Sequence, residues 1–468
     1  MKRFSYAGII NLAIFSLFFS QNLLAQKTKL ISFLDGDKYG FVTPDKKIVI
    51  PCKYTRALPF ENGFARVRTE AGYGFINTAG KEVVPCQYES AMLFEQGIAC
   101  VEHHNGKYGF TDTTGKMVVP CIYDEAFSLI NGMARVKKNN KWGFIDKTGK
   151  EVFPPQYDEA KEFYSAMATV RKGQKWAVIS NSGNEITPFQ YDNGYIFYSE
   201  GLANAQRDGK YGYLDSSGKE VVPCTYAGTL LFKNGLGQFK KDSKCGFMDR
   251  SGKELAPPQY YLIGDPVEGL IKASKESYGR TSGYLDMTGK EVIPFEFDFV
   301  TDFENGLAIV RKIATISIID KTGKEMVATG FDWADAFHEG LAVVRQGDFT
   351  KGKKGFIDRT GKLVVPCQYD DAKKFLNGLA FVVRNDNWGM VDKTGKEITP
   401  CTYFVIGGFE EGLARVKKNG KWGYIDEKGK EVIPCKYDDT GEFKDGIALV
   451  ERDYQEFYID KKGVEYRK

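Results

Sequence analysis

The residues of this chain that could carry chemistry are few, and their spacing is regular. It holds nine cysteines and three histidines. Seven of the cysteines, Cys52, Cys86, Cys121, Cys224, Cys367, Cys401 and Cys435, share one position in a recurring phrase. Periodic thiols suit a disulfide framework or a metal array. Other copies of the phrase hold Pro155, Phe189, Pro258, Phe295 and Thr329 at that position. A slot that accepts Pro and Phe is a packing slot, in which Cys behaves as a small hydrophobe. No Cys-x-x-Cys pair occurs, and three His cannot supply a zinc site per repeat. We therefore expect structural thiols, no metal and no cofactor. Disulfides between adjacent copies are the alternative, and they need Cα atoms within about 7 Å. A second periodic set, Asp146, Asp249, Asp286, Asp320, Asp358, Asp392, Asp426 and Asp460, precedes x-x-Gly each time. Calcium needs several convergent oxygens, whereas an Asp that opens a tight turn needs only its own backbone, and we read turns.

Function is expected where the copies differ. His103-His104 sit at a hairpin tip with Cys100 three residues earlier, a pattern open to metal but more ordinary as an exposed tip. Trp333 stands where other copies hold Asp371 or Asp439, and His338 follows in the same connection. Two copies are lengthened at hairpin tips, between Lys275 and Ser282 and between Gln346 and Lys354, the latter with Lys351, Lys353 and Lys354. Insertions that cluster in a repeat array often mark one binding face. Trp333, His338, Lys351, Lys353 and Lys354 are therefore the candidate binding residues. No nucleophile elbow, phosphate loop or metal signature is present, so no catalytic residue is assigned and no enzyme is expected.

The elements that must position these residues repeat about thirteen times. The phrase is clearest as Lys-Trp-Gly-Tyr-Ile-Asp-x-x-Gly-Lys-Glu-Val-Ile-Pro-Cys-x-Tyr-Asp at 421–438. Its central position falls at Gly40, Gly74, Gly109, Gly143, Ala177, Gly212, Gly246, Gly283, Ser317, Gly355, Gly389, Gly423 and Phe457, at steps of 34 or 35 residues except for 37 and 38 at the two insertions. In the copy from Gly412, Leu413-Ala414-Arg415-Val416-Lys417 alternates apolar and polar, Asn419-Gly420 marks a hairpin, and Trp422 to Asp426 is the return strand. A turn at Asp426–Gly429 leads to Glu431-Val432-Ile433, which Pro434 is expected to end. Each copy thus reads as a three-stranded meander. In the connection Asp370-Asp371-Ala372-Lys373-Lys374-Phe375, an Asp is placed to cap one helical turn.

The Trp-Gly core, the Ile-Asp-x-x-Gly-Lys turn and the Pro-Cys-x-Tyr-Asp segment resemble the bacterial WG-repeat family over residues 30 to 465. That resemblance implies an all-β tandem array with binding roles and no known reaction. Trp176-Ala177, Cys245-Gly246, Ile316-Ser317 and Glu456-Phe457 depart from the pattern and put local geometry in doubt. Thirteen units are many for one propeller ring, so an open superhelical array is favoured, with a closed propeller-like ring as the alternative.

Met1-Lys2-Arg3, an apolar run to Phe19 and Leu23-Leu24-Ala25 read as a signal peptide over 1–25, with the array from 26 to 468. The apolar run is short for a membrane span, and none is expected after cleavage. A net charge of +4 with interleaved signs gives no footprint for nucleic acid. The aromatics Tyr39, Tyr73, Tyr108, Trp142, Trp176, Tyr211, Trp388 and Trp422 share one position, as a core stripe or an open stacking ladder. The expectation is an exported, non-enzymatic scaffold, periplasmic or on the cell surface, that binds a protein partner in the envelope. The alternative is a glycan-binding module that uses the aromatic stripe.

Overall fold

In the computed structural model, residues 29–164, 166–194, 198–230, 232–277 and 281–468 are described. The expected signal segment lies outside them, as do Tyr278, Gly279 and Arg280 of the first insertion.

The described residues form thirteen antiparallel sheets in sequence order, ten of four strands and three of three. The fourth blade is typical. Glu125–Ala126, Met133–Lys138, Lys141–Asp146 and Glu151–Tyr157 pair in that order as a meander. Asn139 and Asn140, both at positive φ, turn its first long hairpin. Asp146 opens the next turn and accepts the Thr148 and Lys150 amides at 2.8 and 3.2 Å, with Gly149 at φ 82. The carboxylate is thereby used as a turn former.

Two expectations about the strands need correction. Each regular blade has a fourth, two-residue strand where a helical turn was expected. At Asp371–Ala372 the chain stays extended, because the Asp370 and Lys373 amides donate to Val383 and Phe381 of the following strand. Nor does the proline end the last strand. Trp142 faces Tyr157 and Phe144 faces Phe153, so Gly143 alone opposes Pro154, Pro155 and Gln156 in a bulge. A Cβ on Gly143 would lie 2.4 Å from the Phe153 carbonyl oxygen and 2.7 Å from Pro155 N. The bulge therefore demands the glycine of the Trp-Gly pair. It also takes the next amide off the ladder, which is why Pro or Cys fits there. In two Cys copies the start-of-strand glutamate accepts that amide, Glu82 from Cys86 at 2.7 Å and Glu431 from Cys435 at 3.3 Å.

Neighbouring blades are locked by one repeated contact. At several junctions a phenylalanine of the connection packs on the aromatic that follows the central glycine, as in Phe75–Phe94, Phe144–Phe163, Phe356–Phe375 and Tyr424–Phe443, with centroids 4.5 to 4.9 Å apart. Burying each such ring contributes about 1.5–3 kcal/mol.

The favoured open array is also corrected, because the ends meet in a closed, propeller-like ring. Leu34 N donates to Tyr466 O and Lys468 N to Leu34 O, both at 3.0 Å. Ile31, Phe33 and Val42 share a core with Ile447 and Tyr466. Closure rests on small rotations accumulated over thirteen blades, which no local pattern encodes.

Candidate functional site

The ring has two faces, and both are stitched by carboxylates that hold the next blade's backbone. On the face of the long hairpin tips, Asp158 accepts Lys141 from its own blade and, at 2.7 Å, Gly173 N from the next. Asp370 takes Lys353 and Asn385 N in the same way, and Asp438 takes Lys421 and Asp453 N. The lysine hydrogen bond is the largest cause that holds each of these carboxyls below its usual range. On the opposite face Glu268, Glu339 and Glu411 accept the amides of Gly306, Gly378 and Gly446 at 2.9 to 3.0 Å.

The shared aromatics are half-buried beneath cations. Arg135 stands 4.7 Å from the Trp142 ring centroid and Lys137 5.3 Å; Arg415 and Lys417 cover Trp422 at 5.7 and 5.2 Å. Each guanidinium also reaches across the junction, Arg135 to the Ala160 carbonyl at 2.7 Å and Arg415 to that of Thr440 at 2.8 Å. The stripe is thus part of the blade junction.

The tip face changes character in blades 8 to 10. Tyr261 stands at the clasp-aspartate position and is exposed beside Leu262 and Phe299. Ser282 occupies the shared aromatic position, and a cavity of about 380 Å³ opens beside it, lined by Tyr261, Leu262, Phe299, Val300 and Arg311 among others. Ile313 forms the tip of blade 9 at φ 60, a place where copies 1 and 5 use Gly36 and Gly173, and it is 86 % exposed. A β-branched residue at positive φ is strained, and its exposure adds a solvation cost. Phe349, also 86 % exposed, projects from the next tip. That tip is ordered by Asp348, which accepts the Thr350 and Lys351 amides at 2.8 and 2.7 Å.

Of the residues singled out from sequence, the structure brings some to this face and separates one. Trp333 begins the strand Trp333–His338 opposite Arg345, half-buried, with Lys354 Nζ 5.6 Å from its ring centroid. Lys354 also pairs with Asp371 at 2.5 Å, and Lys353 belongs to the recurring clasp on Asp370. Lys351 is exposed on the inserted tip. His338 pairs with Leu341 at the far end of the strand, roughly 16 Å away at the usual rise, so it lies toward the opposite face. Phe349, Ile313, Phe299 and Tyr261 were missed. The available signal was an apolar residue where other copies use Asn, Asp or Gly, as at Ile313 and Tyr261; Phe349 lies in an insertion that the regular copies lack.

The remaining chemistry-bearing residues have structural partners. All nine cysteines are free thiols. Cys52, Cys224, Cys401 and Cys435 each point Sγ at a carbonyl of a neighbouring strand at 3.6 to 3.8 Å. Burial pushes Cys435 to about 11 and Cys100 to about 12, far from thiolate chemistry at neutral pH. His104 Nδ1 meets Glu89 at 3.0 Å, a variant of the clasp. Among the described residues no three His, Cys, Asp or Glu side chains stand together as a metal cluster.

Twelve tandem segments, from 39–71 to 422–454, match the model of the WG containing repeat, and together they span most of the chain. The chain belongs to the WG-repeat family. No curated protein matches it. Among solved structures, it is similar to a eukaryotic initiation factor at 10% identity, with 72% of this chain and 95% of that one covered and a TM-score of 0.28. It is also similar to the extracellular domain of a hybrid two-component system from B. thetaiotaomicron, at 12% identity, 88% and 69% coverage and a TM-score of 0.28. A third is PorZ, a surface component of the type-IX secretion system of Porphyromonas gingivalis, at 9%, 94% and 80%, with a TM-score of 0.21. At these scores none carries an argument about the WG-repeat chain. No helix among its described residues is long and apolar enough to cross a membrane.

Proposed function

We propose that this WG-repeat ring is an exported, non-enzymatic scaffold that docks a protein partner in the cell envelope through the tip face of blades 8 to 10. The observation that carries the reading is Ile313, held at φ 60 and 86 % exposed next to the Phe349 tip. Strain and exposed apolar area at adjacent tips are retained at a cost to stability, and a contact surface accounts for both. Trp333 and Arg345 beside them are of the residue types that dominate interface energetics, and Lys351 and Lys354 add positive charge around them. Export is supported by the basic start and apolar run within residues 1–25. A glycan-binding role for the aromatic stripe has less support, since Arg135 and Lys137 already cover Trp142.

The test is a crosslinked capture from the native envelope fraction with tagged wild-type protein and an Ile313→Gly, Phe349→Ala variant. One protein enriched by the wild type and lost from the variant supports the scaffold. Equal capture by both, or recovery of glycan alone, overturns it.

A further inference from the structure

The last strand of each blade ends its sheet, so one of its edges has no strand beside it. Such an edge invites pairing with other chains, and natural sheets blunt it with prolines and bulges. Ten of the eleven last strands among the described residues carry both. Pro51, Pro120, Pro294 and Pro434 are examples, each in the bulged stretch that the central glycine opposes. The exception is Glu325–Thr329 of blade 9, which has Ala328 at the proline position. Its ladder is straight from Thr329 to Val327, and only the bulge at Met326, which the regular copies share, remains.

Ala328 is the residue that aims its backbone outward. In copy 5 the matching pair, Trp176 and Tyr191, exchanges both amide bonds, at 2.8 and 3.2 Å. Ile316 and Thr329 hold that place in blade 9. Amide directions alternate along a strand, so Thr329 and Val327 bond within the sheet while Ala328 presents its N–H and C=O to the outside. In the regular blades proline removes that N–H. Ala328 and Met326 are both exposed, and a Cβ on the following Gly330 would meet nothing within 4 Å. Residues 281–468 are described without a break, so no part of blade 9 or blade 10 is missing from this edge.

We propose that the blade 9 edge is a self-association site, at which two copies of this chain pair antiparallel through Ala328 about a two-fold axis. The edge is complementary to itself. Pairing centred on Ala328 exchanges two amide bonds between the two alanines and sets Met326 against Gly330, a long side chain over a place that has none. Further out the same register sets Lys324 against Asp332. Both are exposed, their charges are opposite, and neither has an ion-pair partner among the described residues. The two-fold makes that contact twice. A ring with one open edge closes as a dimer and leaves no edge for a third copy. The pairing uses neither Ile313 nor Phe349, so it does not rest on the scaffold reading.

The test is sedimentation velocity of the full chain from about 1 to about 200 µM, because so short a ladder makes a small interface whose occupancy depends on concentration. A monomer–dimer equilibrium is expected. Ala328→Pro, the residue that the sister strands carry, removes the shared donor and should leave a monomer throughout, with unchanged circular dichroism. Lys324→Glu leaves the backbone intact and should weaken the dimer about fivefold through two lost ion pairs, which decides the matter even where the proline disturbs the blade. Phe349→Ala should leave the equilibrium unchanged. A wild type that stays monomeric at every concentration overturns the proposal. So does a folded Ala328→Pro chain, or a Lys324→Glu chain, that dimerises as well as the wild type, and so do species larger than a dimer.

Discussion

Blades 4 and 9 are built on the same meander and part company at two positions. Blade 4 has Gly143 at its centre and Asn139-Asn140 at its tip; blade 9 has Ser317 and Ile313. Around Gly143 three residues of the last strand oppose one. Around Ser317 the ladder runs straight, with Ile316 opposite Thr329, Ser317 opposite Ala328 and Ile318 opposite Val327. The serine Cβ would occupy the space of the bulged backbone, so the bulge is gone, and the Pro-Cys pair is absent with it. Copy 5, with Ala177, shows the other outcome: its last strand is reduced to the bridges Trp176–Tyr191 and Ile179–Glu185. The absence of a Cβ at the central position thus permits the bulge of the regular blades. The tips differ in the opposite sense, since blade 4 is relaxed at its tip and blade 9 is strained. Irregularity in the core and apolar exposure at the tips occur in the same stretch of the ring.

The same substitution should therefore have unequal effects in the two blades. Gly143→Ala forces a Cβ into a carbonyl and should cost about 2–3 kcal/mol, read from urea unfolding. Ser317→Ala, in a ladder that already accommodates a Cβ, should cost under about 1 kcal/mol, mainly for the 2.7 Å bond to Glu325. Equal costs would mean that the central glycine does not set the bulge.

At the tips a smaller effect is expected. Ile313→Gly should stabilise the chain by about 1 kcal/mol, because it removes a side chain from positive φ, whereas Asn139→Gly should change it by only a few tenths. A destabilised Ile313→Gly would mean that the side chain supports the fold, and the interface reading would lose its main support.

The smallest effect concerns acid. The Asp158, Asp370 and Asp438 carboxyls titrate below their ordinary value in the folded chain, so the stability they supply is present above about pH 4 and lost as pH falls further. Exposed clasps contribute little each, so melting should decline gradually below pH 4 rather than collapse. Blade 6, with Ala227 in place of the aspartate, should not contribute to that decline.

Much of this was readable in the residues. Asn-Gly and Asp-x-x-Gly each prescribe a turn by local chemistry, and the turns are where they were expected. The connection at Asp370–Phe375 was not, because a helical cap and a strand edge ask for the same residue types, and only the next blade's unpaired carbonyls choose between them. The role of Pro434 was hidden for a similar reason: a bulge is a property of two strands, and Gly423 carries half of it. Trp333 and His338 looked adjacent on a short turn, but an extended strand carried them to opposite ends. Ile313 was legible in principle, since it stands in a turn position that tolerates Gly.

On the proposed reading, blades 8 to 10, and not the regular blades, present a contact surface. It is tested most directly by placing a photo-crosslinking phenylalanine analogue at position 349 and, separately, at position 139, then irradiating cells that export each protein. One discrete protein adduct is expected from position 349 and none from position 139. The same adducts from both positions, or none from position 349, would contradict it.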